Sequence, residues 1–151
     1  MSLEARAVET GNDPFGAPMT GAELRTIREW LALTPEALAA DLRVDLRNLR
    51  RWENCTAPIP AGVATEVHQL QQEADDAVNR IIERSRASVS PVLTTYHSDE
   101  DFHRLDSGTP PRPAAWHRRV TARAAQALPG ARIVYATLET EGTTPTESSP
   151  R

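Results

Sequence analysis

Between residues 20 and 54 the apolar positions recur every three or four residues, in three short runs separated by breakers. Leu24, Ile27 and Leu31 form one helical stripe. Thr20 precedes it as an N-cap, and Glu23, three residues on, completes a capping-box pattern. Thr34-Pro35-Glu36 opens a second helix with a cap, a proline at the first helical position and an acid in the first turn. That helix runs through Ala37, Leu38 and Leu42 and stops near Arg43-Val44. Asp45 caps a third helix, Leu46 to about Asn54, with Leu49 and Trp52 facing inward. Pro58 and Pro60 end the next loop. A long helix is then predicted from Ala61 to Arg84, where Val63, Val67, Leu70, Ala74, Val78 and Ile81 follow a coiled-coil spacing.

Beyond residue 88 the pattern changes. Pro91 to Tyr96 and Arg132 to Leu138 read as strands, rich in β-branched and aromatic residues. Between them lie a short helix from Asp99 to Leu105 capped by Ser98, a Pro-rich turn over 109–113, and a helix from Ala114 to Leu128. Trp116, Val120, Ala124 and Leu128 share one face of that last helix, and Pro129-Gly130 stops it. Two strands alone make a marginal sheet, so the pattern suggests completion by another chain. The fold class expected is mainly α, with an N-terminal bundle of short helices followed by a small α+β module. The expected organisation is a flexible arm over 1–18, a helical domain over 19–73, a helix plus strand-helix-helix-strand module over 74–138, and a flexible tail over 139–151.

Composition narrows the function. The 151 residues carry a net charge of −4, so this is no bulk-basic nucleic-acid binder, although a local basic face is allowed. All 17 basic residues are Arg. Arginine suits bidentate contacts to guanine and phosphate, so its placement matters. Residues 20–56 hold six Arg and six acids, and the third helix gathers the positive charge. The single Cys55 allows no internal disulfide, which fits a reducing cytoplasm. No apolar run reaches the length of a membrane span, and the first residues lack the apolar core of a signal peptide. The four histidines and Cys55 show no metal-ligand spacing, and there is no phosphate loop, nucleophile elbow or carboxylate pair. Neither a cofactor, a metal nor an enzymatic activity is expected.

Two short helices joined by a tight turn, the second carrying basic residues outward, describe a helix-turn-helix. The stretch resembles a Cro/C1 (XRE-type) DNA-binding domain. The resemblance rests on Leu24-Arg25 and Ile27-Arg28, Leu33-Thr34, Leu38-Ala39, Val44 and Arg51-Trp52-Glu53. With Pro58-Ile59-Pro60 after the third helix, and with the later strand, Pro113-Ala114-Ala115-Trp116-His117-Arg118 segment and strand, the whole chain is similar to YdiL-like regulators and anti-CRISPR-associated autorepressors. In that group the C-terminal part dimerises. There are departures. Arg43 and Cys55 stand where glycine is usual, and Pro35 stands where glutamine often contacts phosphate.

The resemblance implies that the third helix enters a major groove. Arg47 and Arg51, four apart on one face, are then the expected base contacts, with Leu46 against a thymine methyl. Thr34, Arg43, Asn48 and Arg50 are the expected backbone contacts. Arg28 and Glu53 correspond to a structural ion pair. Arg112, Arg118, Arg119 and Arg123 lie in an acid-free stretch, either a second nucleic-acid patch or partners for acids across a dimer interface. The function expected is a dimeric, cytoplasmic repressor of inverted-repeat operators in double-stranded DNA, its own promoter included, with a phage or mobile-element origin. The alternatives are an antitoxin-type repressor with a toxin partner and an RNA-binding translational regulator.

Overall fold

The computed structural model describes residues 17–106 and 111–137. Within them the order is α1 (Gly21–Trp30), α2 (Pro35–Leu42), α3 (Leu46–Glu53), α4 (Ala61–Ser85), β1 (Val92–Thr95), α5 (Asp99–Leu105), α6 (Ala114–Gln126) and β2 (Arg132–Tyr135). The protein is mainly helical, with a two-stranded sheet toward its C-terminal part. Of the arm expected over 1–18 only residues 17 and 18 are described, and Leu138 of the expected second strand and the tail expected over 139–151 lie outside the described residues. No helix among the described residues is long and apolar enough to cross a membrane.

The chain divides into two units between Arg80 and Ile81. This division and the 73/74 boundary expected from sequence both fall inside α4, which runs unbroken through them.

In the first unit the helix starts follow the caps. Thr20 and Glu23 form a reciprocal capping box, with Thr20 N donating to Glu23 Oε2 over 2.7 Å and Glu23 N to Thr20 Oγ1 over 3.1 Å. Thr34 Oγ1 accepts from Ala37 N, and Asp45 Oδ1 accepts from Arg47 N. The helix α3 packs against both α1 and α2. Leu24, Leu31, Leu33, Leu38, Leu42, Leu49 and Trp52 form the buried core. Along the predicted seam of α4, Val67, Ala74 and Val78 are buried while Val63 and Leu70 are half-buried.

In the second unit β1 and β2 pair in parallel, with Val92 opposite Arg132 and Thr95 opposite Tyr135. A parallel pair needs a crossover, and α5 and α6 supply it. The helix α6 packs mainly on β1 and touches β2, whose residues stay exposed, and α5 packs on α6. Leu93 and Thr95 point inward from β1, beneath a core of Phe102, Trp116, Val120 and Ala124. The N-terminus of α6 follows Pro113, which has no capping side chain. Asp99 supplies the missing acceptor, taking a hydrogen bond from Ala114 N over 2.7 Å.

Both strands are shorter than their apolar patterns predict. Pro91 has no N–H to give, and with β1 ending at Thr95 the ladder closes on Ala136 N to Thr95 O. The helix α6 also ends early, at Gln126. Leu128 is still buried, held by a hydrogen bond from its N–H to Ala125 O. Gly130, at φ 74°, then turns the chain into β2.

Candidate nucleic-acid interface

Three features fix the α2–turn–α3 unit. The first is the turn itself. Arg43 adopts φ 55° and ψ 42°, and Val44 N returns to Ala39 O over 3.0 Å. A left-handed residue costs a non-glycine side chain about 1 kcal/mol. Cys55, after α3, pays the same conformational cost at φ 59°. These are the two positions where the resemblance expects glycine. Ala32, after α1, is a third left-handed residue, at φ 54°, with no local pattern marking it.

The second feature is the ion pair between Arg28 and Glu53. Arg28 Nε donates to Glu53 Oε1 over 2.6 Å, and Nη2 to Oε2 over 3.2 Å. Both side chains are only 9% exposed. Arg28 Nη1 also donates to Leu33 O over 3.0 Å, so one guanidinium ties α1, the α1–α2 loop and the end of α3 together. The third feature is Gly21. A Cβ there would lie 2.3 Å from Trp52 O and 2.8 Å from Glu53 O, so α1 begins directly against the end of α3.

Held in this way, α3 buries Leu49 and Trp52 and exposes Arg47, Asn48, Arg50 and Arg51. Leu46 is half-buried at its N-terminus. Among the described residues Arg47 and Arg51 form no ion pair with an acid. Arg50 does: its guanidinium lies 3.6 Å from Glu36 on α2, with both side chains about 60% exposed. That cross-helix contact was not expected, because Glu36 read only as a first-turn acid. Thr34 is exposed at the N-terminus of α2, and Arg43 is exposed in the turn. The seven candidate contact residues therefore lie on α3, on the turn before it and at the start of α2.

The second basic segment fares differently. Arg112 is 7% exposed, with its guanidinium carbon 6.0 Å from the centre of the Trp116 ring. Arg118 Nη1 donates to Tyr96 O and His97 O over 2.9 and 3.1 Å. Arg119 and Arg123 are half-buried, and both have partners. Arg112 and Arg118 are thus engaged by the Trp116 ring and by the backbone of the β1–α5 connection.

Residues 19–122 match the family model described as Aca2/YdiL-like. The chain belongs to the Aca2/YdiL-like family. This is a family of anti-CRISPR-associated regulators of helix-turn-helix type. No curated protein matched the chain. The matched span includes the whole of α1 to α5 and the first two turns of α6, so it takes in the entire exposed Arg face of α3.

Proposed function

We propose that this Aca2/YdiL-like regulator is a dimeric transcriptional repressor. Each subunit places α3 in the major groove of one half of an inverted repeat. The observation that carries this reading is the exposed pair Arg47 and Arg51 on one face of a helix whose position is fixed by Asp45, Gly21 and the Arg28–Glu53 pair. An arginine so presented can bond guanine O6 and N7 together, worth about 1–3 kcal/mol of discrimination. Leu46 meets a thymine methyl. Thr34, Arg43, Asn48 and Arg50 meet phosphates, and Arg50 exchanges Glu36 for the DNA backbone.

Dimerisation is supported by β2. Ile133, Val134 and Tyr135 are 45%, 41% and 52% exposed, on a strand of a sheet that has two strands among the described residues. A second copy placed against this strand would cover them and satisfy the edge. Two-fold symmetry then sets the half-sites about one helical turn, roughly 34–36 Å, apart. A protein so bound at a promoter excludes polymerase, its own promoter included. The internal engagement of Arg112 and Arg118 weakens the RNA-binding alternative.

Selection from randomised duplex DNA tests the reading. The protein should enrich an inverted repeat, and an Arg47→Ala/Arg51→Ala protein should not. Arg47→Ala alone should lose about 5- to 150-fold in affinity for the selected site and far less for unrelated duplex. Equal losses on both would move Arg47 to the phosphate contacts. Folded protein that enriches nothing would refute the proposal.

A further inference from the structure

The exposed arginines of α3 are not equivalent. Arg50 Nη2 lies 3.6 Å from Glu36 Oε1, and both side chains are mostly exposed. The ion pair thus falls on the arginine assigned to phosphate rather than on Arg47 or Arg51, assigned to bases. Glu36 is the second residue of α2, two positions after the exposed Thr34, so it sets a carboxylate among the candidate phosphate contacts. A first-turn acid has a helical use, since it interacts favourably with the positive end of its own helix. That use is served without an arginine from the next helix.

The pair is loose. Its 3.6 Å exceeds the roughly 2.7–3.2 Å of a direct N–H···O bond, and water competes at both ends. An exposed contact of this kind shifts an equilibrium by at most about fivefold. A phosphate that takes Arg50 must displace Glu36, and the displaced carboxylate then faces the DNA with like charge. In water, at ~10 Å, that repulsion adds about twofold before salt screens it. Glu36 therefore opposes the phosphate contact without abolishing it. The opposition is the same whatever the bases, because a phosphate carries no sequence information.

We infer that Glu36 sets the affinity of the DNA face: it competes with backbone phosphate for Arg50 and weakens binding to every duplex alike, while Arg47 and Arg51 read bases at full strength. The inference rests on the repressor reading and deepens it. It gives one acid of the face a role in binding rather than in folding, by lowering the part of the affinity that all sequences share.

The test is fluorescence anisotropy titration of the full chain on the selected operator and on an unrelated duplex of equal length, over about 50–200 mM salt. Wild type, Glu36→Gln, Arg50→Gln and the double variant are compared. Glu36→Gln should tighten both duplexes by the same factor, about 2- to 10-fold, and steepen the fall of log affinity with log salt by about one. In the Arg50→Gln background the same change should gain no more than about twofold, the residual repulsion. Both residues are exposed, so the variants should fold, which circular dichroism checks. A Glu36 that instead holds Arg50 ready for phosphate gives the opposite sign, and weaker binding by Glu36→Gln overturns the inference. Unchanged affinity and salt slope, a gain on one duplex only, or a gain that persists in full without Arg50 also overturns it. Wild-type protein that binds neither duplex overturns the repressor reading and this inference with it, whereas wild type that binds while Glu36→Gln gains nothing overturns the inference alone.

Discussion

Replacing Glu53 by Ala should be among the most damaging single changes in the first unit. Arg28 lies with its side chain 9% exposed, bonded to both oxygens of Glu53 and to Leu33 O. Removing the carboxylate leaves a largely buried guanidinium with the Leu33 carbonyl and only the more distant, exposed Glu29 carboxylate, 3.9 Å from Nη2. Breaking a buried pair from one side costs about 3–5 kcal/mol. A whole domain is stable by about 5–15 kcal/mol, so this is a large fraction. At about 4–8 °C per kcal/mol for a unit of this size, the midpoint should fall by at least about 12 °C. Replacing both partners, as Arg28→Met/Glu53→Leu, removes the stranded charge as well as the pair. The double variant should lie within about 1–2 kcal/mol of wild type, far above the sum of the single losses. Urea unfolding followed by circular dichroism reads all three proteins, with an unchanged slope showing that two-state comparison holds. The exposed Glu36–Arg50 pair is the internal control: Glu36→Ala should cost at most about 1 kcal/mol, and that cost should vanish in high salt. A Glu53→Ala loss below about 1 kcal/mol, or a double variant equal to the sum of the singles, would refute the reasoning.

Gly21→Ala should destabilise by about 1–3 kcal/mol despite alanine's better helix propensity, because the new Cβ meets Trp52 O at 2.3 Å. Gly62→Ala, with nothing near its Cβ inside α4, should instead stabilise by about 0.5–1 kcal/mol, and thermal melts of the two compare the signs directly. Arg43→Gly should raise stability by up to about 1 kcal/mol by relieving φ 55°, while weakening DNA binding similarly on all sequences, as a fluorescence binding assay can read. His117 has a folded pKa below its unfolded value, chiefly through burial, so the unfolded chain binds its proton first as pH falls. The stability it contributes is complete above about pH 6.5 and is lost as pH drops from there toward the lowered folded value. A His117→Gln variant should lose that slope in urea midpoints measured across pH, and an unchanged slope would contradict the assignment.

Much of the first unit was legible because its signals are local. Thr20, Thr34 and Asp45 announce helix starts by side chains that bond residues two or three positions away. The spacing of Leu49 and Trp52 fixes which side of α3 faces inward, and so which arginines face out. Gly21 was silent, because its need for no side chain arises from residues more than thirty positions later. The same reason explains the basic segment. The carbonyls that engage Arg118 belong to Tyr96 and His97, 22 and 21 residues earlier, and no local pattern marks them. The strand lengths are not legible locally because a strand ends where its partner ends, and the partner is distant in sequence.

The parallel pairing of β1 with β2 also sets an order of events during synthesis. Val92 pairs with a residue forty positions later, so the sheet cannot close until the chain through Tyr135 has left the ribosome. The contacts that build α1, α2 and α3 all lie within residues 20–56 and involve short loops. Local helical contacts form quickly, whereas distant strand pairing waits for loop closure. On a nascent chain the arginine-bearing helix is therefore in place while the second unit is still being made, and that unit waits for the residues of β2.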